Sequence, residues 1–245
     1  QGRASERILF ELIGGPGNDR LDGYEGEDTL NGGEGEDIYT LRPASGIKSL
    51  SSGTGVGLQT LDYSSYTDDI EVNLETGEAP GLNRLSGVNG VLGGKGDDTF
   101  FGSTEADTFY FINDWGKDTV TDSTEAHTDS DTLDFSAVTK PMTFDFRNGM
   151  VSVTEGMNTA TGTKIENVVG GSSDDEFVFH NAWGNYTITS GGTIDEDVLD
   201  FSAVTCDLTF TLYEDGRVSV TDGLWSTLGA SAGIENIIGG AGVNT

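Results

Sequence analysis

The stretch from Gly14 to Thr40 constrains this chain more than any other. It reads Gly-Gly-Pro-Gly-Asn-Asp-Arg-Leu-Asp, Gly-Tyr-Glu-Gly-Glu-Asp-Thr-Leu-Asn and Gly-Gly-Glu-Gly-Glu-Asp-Ile-Tyr-Thr, three nine-residue units end to end. In each, glycine holds the first and fourth places (Gly14 and Gly17, Gly23 and Gly26, Gly32 and Gly35). Aspartate holds the sixth (Asp19, Asp28, Asp37) and an apolar residue the eighth. Glycine admits positive φ and close backbone approach, so each unit predicts a tight turn followed by a short strand. A fixed period of this kind stacks turns along a line and builds no compact globule.

A turn that offers backbone carbonyls beside a carboxylate suits calcium, which takes 6 to 8 oxygen ligands at about 2.3–2.6 Å. The three units resemble the nonapeptides of the RTX (repeats-in-toxin) calcium-binding family. That resemblance implies a parallel β-roll in which successive units alternate between two edges, each turn stacks on the turn two units away, and calcium sits between them. It puts Asp19 and Asp37 on one edge as one site, with carbonyls around Gly14 and Gly32. Asp28 falls on the other edge, where its partner is not evident from sequence. Gly93-Gly94-Lys95-Gly96-Asp97-Asp98-Thr99-Phe100 is a further full match, so Gly93, Gly96 and Asp98 join the expected ligand turns. The degenerate unit Gly102 to Asp107 places Asp107 in support of Asp98. Asp175 lies in a unit without its fourth-place glycine, and Asn244 stands where the last unit would have Asp. The competing reading of every such Asp is ordinary turn chemistry, in which Asp and Gly are favoured everywhere.

Charge supports a cation-binding role. With 42 acidic and 12 basic residues the net charge is −30, which disfavours nucleic acid and anionic membrane surfaces and makes folding without counter-ions costly. Cys206 is the one cysteine, so no internal disulfide staples the fold. No apolar run approaches the ~20 residues of a membrane span, so membrane insertion is not expected. Residues 1–7 lack signal-peptide character, and both ends read as cut from something longer.

Beyond Thr40 a longer repeat begins. Leu61-Asp62-Tyr63-Ser64, Leu133-Asp134-Phe135-Ser136 and Leu199-Asp200-Phe201-Ser202 are 72 and 66 residues apart. An alternating strand pair follows each: Met142 to Phe146 with Met150 to Val153, and Leu208 to Leu212 with Arg217 to Val220, joined through Asn148-Gly149 and Asp215-Gly216. The first copy, Ile70 to Leu74, has a less regular return. Each copy closes on a strand running into a glycine pair. The predicted segments are 1–60 (N-terminal strand and nonapeptides), 61–132, 133–198 and an incomplete 199–245. Such units resemble the RTX-linked repeats of very large bacterial surface and adhesin-like proteins. The fold class expected is all-β: an elongated β-solenoid of RTX parallel β-roll rungs with β-hairpin insertions. Trp115 and Trp183 read as caps over its core, with a sugar-stacking platform as the alternative.

Catalytic signals are weak. His127 and His180 stand in polar surroundings, and Gly229-Ala230-Ser231-Ala232-Gly233 matches a hydrolase elbow by letter but has neither the following helix nor a later His. Asp62, Asp134 and Asp200 fit strand-end hydrogen bonds. The expected role is a non-enzymatic, calcium-stabilised spacer of a secreted bacterial surface or adhesin-type protein, at the cell surface, with neighbouring modules of the same or identical chains as partners and any glycan ligand open. Two alternatives remain: the subunit of a head-to-tail extracellular filament, its strand Ile8 to Ile13 continuing another copy's last rung, and the accessory tail of a secreted hydrolase or polysaccharide-modifying enzyme.

Overall fold

A computed structural model describes residues 9–51, 57–83, 85–122, 129–192, 195–224, 226–231 and 233–245. Among these the chain is all-β, with strands and turns and no helix. Its three sheets have three, eleven and nine strands.

The strands are short because the repeat allows one inward side chain per rung. In Arg20–Asp22, Thr108–Tyr110 and Thr132–Asp134 only the middle residue is buried, and that residue is the eighth of a nonapeptide or its equivalent. Leu21, Leu30, Tyr39, Phe100, Phe109 and Phe177 all take this position and are at most 4% exposed. Each rung pairs in parallel with the next in its sheet, as Ile38–Thr40 does with Thr60–Asp62 and Thr60–Asp62 with Gly90–Leu92. From Thr60 onward the chain alternates between the eleven-stranded and nine-stranded sheets. Their inward residues meet in one core, where Phe100 of one sheet stacks on Phe109 of the other at 5.9 Å.

Parallel rungs lie ~4.8 Å apart, which is also a comfortable ring-stacking distance. Equivalent aromatics therefore pile up: Phe111 on Phe135 at 4.3 Å, Phe144 on Phe177 at 4.6 Å, Phe179 on Phe201 at 4.4 Å. Trp115 and Trp183 pack edge-on against Phe135 and Phe201 at 5.5 and 5.6 Å. Both indoles are at most 1% exposed, so neither offers a ring face for a sugar. They close the core.

The antiparallel insertions follow the long repeat. Thr143–Arg147 and Met150–Glu155 form a hairpin in the nine-stranded sheet. Its turn residues Asn148 and Gly149 have φ of 53° and 70°, the mirror-image turn that matches strand twist. A third strand, Asn158–Thr163, returns antiparallel and then pairs in parallel with Lys117–Thr121. In the next copy, Thr209–Leu212, Val218–Thr221 and Thr227–Ala230 make the same meander, but in the eleven-stranded sheet. The first copy keeps one antiparallel bridge, Asn73 to Glu78. Asp62, Asp134 and Asp200 each accept the backbone N–H of the Ser two residues on, at 2.7–2.9 Å, and so end their strands.

Candidate metal centre

The glycines divide two tasks. Positive φ falls at the second and fourth places, with Gly15 at 114°, Gly17 at 107°, Gly33 at 104° and Gly35 at 117°, where the sequence pattern places it at the first and fourth. The first place needs room instead. A Cβ on Gly14 would lie 2.5 Å from both Asp19 Oδ2 and the Gly32 carbonyl, and one on Gly32 would overlap Asp37 Oδ2.

These turns stack two units apart. Gly15 and Pro16 pair with Gly33 and Glu34, and the Gly17 N–H donates to the Glu34 carbonyl at 2.7 Å. Asp19 and Asp37 thereby meet: the Asp19 N–H donates to Asp37 Oδ1 at 3.0 Å. Asp19 Oδ2 and Asp37 Oδ2 are buried and have no hydrogen-bond partner. A buried polar atom left unmade costs about 1–3 kcal/mol, and more if charged. Two such oxygens beside stacked glycine turns fit a calcium ion, which takes hard oxygen donors. One rung further on, Gln59 stands where an acid would continue the column. Its Nε2 donates to the Gly35 carbonyl at 2.6 Å and closes that side with an amide.

The other edge is built differently. Asp28 Oδ1 accepts the Phe10 N–H at 3.0 Å, while Oδ2 lies 3.2 Å from Lys48 Nζ. That ammonium also donates to the carbonyls of Tyr24 and Gly26 at 2.8 Å and of Ser45 at 3.0 Å. Lys48 and Asp28 are 1% and 0% exposed. Since Thr29 pairs with Ser49, Lys48 occupies the rung position of an acid. The expectation of calcium at Gly23, Gly26 and Asp28 is corrected here: the cation among those oxygens is a lysine, held by the additional hydrogen bonds a buried ion pair requires.

Further along, the expected ligands again differ from the first pair. Asp98 accepts the Ile70 N–H on Oδ1 and the Gly94 N–H on Oδ2, both at 3.0 Å. Asp175 does the same with Met142 and Gly171 at 2.8 and 2.7 Å. Each carboxylate clasps its own turn with one oxygen and the preceding rung with the other. Gly93 leaves room for Asp98 Oδ2, and Gly96 packs on the Asp68 backbone. The buried oxygens without partners lie one rung on, at Asp118 Oδ2 and Asp197 Oδ2, whose Oδ1 atoms accept from the Asp98 and Asp175 N–H groups at 2.8 and 2.7 Å. Burial pushes Asp98 and Asp175 up to about 6, Asp197 to about 7 and Asp118 to about 8. Asp107 does not support Asp98. It precedes a strand of the other sheet, and its N–H donates to Asp131 Oδ1 at 2.8 Å.

Asp118, Asp122, Asp131 and Asp197 escape the nonapeptide pattern because their segments keep at most part of its glycines, Gly116 at the fourth place before Asp118 and Gly192 at the first place before Asp197. Three of them keep its tail: Asp118-Thr-Val, Asp131-Thr-Leu and Asp197-Val-Leu repeat the Asp-x-apolar spacing of places six to eight. No catalytic constellation stands beside these acids among the described residues. His180 lies at the surface, 3.1 Å from Asp145 Oδ2 and from Arg147. His127 lies outside the described residues. Ser231 Oγ accepts the Ser190 N–H at 3.2 Å.

Stacked glycine turns that bring buried acids together on parallel rungs define a calcium-binding repeat protein. The family model described as RTX calcium-binding nonapeptide repeat (4 copies) matches residues 11–39 and 86–111. Those stretches belong to the RTX repeat family, whose nonapeptides bind calcium. A search of curated proteins returned no match.

Proposed function

We propose that this chain is a non-enzymatic structural spacer of a secreted bacterial surface or adhesin-type protein, an elongated β-solenoid whose rungs calcium locks in place. The observation that carries this reading is the buried pair Asp19 Oδ2 and Asp37 Oδ2, which have no partner of their own between stacked turns. Folding stacks carboxylates whose repulsion a bound cation relieves, so metal-binding free energy becomes folding free energy. At low calcium the acidic rungs are unstable, which suits passage out of a cell. Outside, where extracellular modules work at about 10⁻⁴–10⁻³ M affinities, they fold. The long copies 61–132, 133–198 and 199–245 act as successive lengths of one stack. Calorimetric titration with calcium, read alongside circular dichroism, tests this: binding coupled to a gain of β-signal is expected. An unchanged melting temperature between chelator and millimolar calcium overturns it.

A second reading, end-to-end association with a neighbouring module, is favoured by the exposed apolar residues at the two extremes of the stack. Leu9, Phe10 and Ile13 are 56–65% exposed on or beside the edge strand Glu11–Pro16, and Val243 is 63% exposed beyond the edge strand Ile234–Ile238. Light scattering with and without calcium tests it, on the chain with and without residues 1–13. Association confined to the full chain in calcium is expected, and no association in any of the four samples overturns it.

A further inference from the structure

We propose that Asp107, Asp122 and Asp131 form a divalent-cation site of their own, suited to calcium, to which a nonapeptide turn contributes Asp107 alone. One carboxylate oxygen from each lies within 4.8 Å of the others, and the three residues are 0%, 5% and 1% exposed. Neither Asp122 nor Asp131 belongs to a nonapeptide, and the family match ends at residue 111.

An acidic cluster alone is no site, but a further feature points to an ion. Asp107 is wholly buried, and its Oδ1 has no hydrogen-bond partner, whereas its Oδ2 accepts the Ser103 N–H at 2.6 Å. Gly102 makes room for two of these carboxylates, since a Cβ there would sit 2.5 Å from Asp122 Oδ1 and 3.3 Å from Asp107 Oδ2. The surrounding groups are acids as well. Glu166 Oε2 accepts the Asp131 N–H at 3.0 Å, and Asp129 Oδ2 is buried without a partner.

Like charges within 4.8 Å of one another in a buried setting repel strongly, so three carboxylates this close cannot all stay ionised unaided. Protons supply one remedy. A divalent ion supplies the other. Among the described residues the donors are all carboxylate oxygens, with neither imidazole nor thiolate, which favours calcium or magnesium over zinc. A cage spread over as much as 4.8 Å suits calcium's ~2.3–2.6 Å bonds and variable geometry better than magnesium's tight octahedron at ~2.0–2.1 Å.

Equilibrium dialysis of the full chain against calcium tests the site, comparing wild type, Asp122→Asn/Asp131→Asn and Asp19→Asn. The double variant is expected to bind one ion fewer per chain. It should also melt no lower than wild type in chelator, because two buried charges have been removed, and lower than wild type in calcium. An unchanged ion count overturns the proposal. So does a double variant that is unfolded or equally destabilised in chelator and in calcium, since the cluster is then a structural network. Loss of an ion from the double variant with none lost from Asp19→Asn would instead overturn the Asp19–Asp37 reading and leave this site standing.

Discussion

At Lys48 the two edges of the roll part company. One edge presents two buried carboxylate oxygens without a partner; the other carries its cation on a side chain. Replacing Lys48 by Ala leaves Asp28 buried and unpaired, and breaking such a pair costs about 3–5 kcal/mol. In chelator the variant should be destabilised on that scale. In millimolar calcium it should recover, with one more ion bound per chain than wild type, because the vacated oxygens are those of a calcium turn. Melting curves and dialysis check both parts, and a variant that calcium does not rescue defeats the idea. Asp98→Asn makes a useful contrast. Its carboxylate serves two backbone N–H groups, so the change should cost about 1–3 kcal/mol with and without calcium, without altering the ion count.

At the scale of strands and turns, legibility followed chemistry that lives in a short window. The glycine turns, the inward eighth residue and the Asn148-Gly149 hairpin could all be read because each depends on residues only a few places apart. What could not be read depends on the neighbouring rung. Nothing near Lys48 in sequence marks it as the partner of Asp28 twenty residues earlier, and nothing in Asp131-Thr-Leu shows that Asp122 will face it. The return strands Asn158–Thr163 and Thr227–Ala230 were missed because Thr, Gly and Ala give weak alternation, their pairing being supplied by the hairpins already in place. That hairpin offers a clean test of turn geometry. An added Cβ at Gly149 meets nothing within 4 Å, so Gly149→Ala should cost only its φ of 70°, about 1–2 kcal/mol. The loss should be the same in chelator and in calcium when followed by denaturant melts.

For the molecule as a whole, the acids set an unusual response to pH. A carboxyl whose value is raised by burial holds its proton more tightly folded than unfolded, where it titrates near 4. Stability from this source is complete below about pH 4 and is lost as pH rises through the folded values, about 7 for Asp197 and about 8 for Asp118. Asp22, Asp145 and Asp215, lowered chiefly by hydrogen bonds from Arg42, Arg147 and Arg217, act below that window and do not cancel it. In chelator the melting temperature should therefore fall between pH 5 and 8, and calcium should flatten the decline. Scanning calorimetry across that range checks it, and a rising melting temperature in chelator contradicts it.

A tethered ammonium, unlike calcium, has no concentration. It cannot be chelated or diluted away, so the rungs around Lys48 keep a counter-ion that is buried with its acid and travels with the chain. In a stack where each rung leans mainly on its neighbours, withdrawal of calcium should start an unzipping that runs along the acid-only rungs and halts at this fixed charge. Hydrogen exchange followed as calcium is lowered should find amides 23–28 and 42–49 the last to open, and those rungs would be the template on which the others wind again when the ion returns.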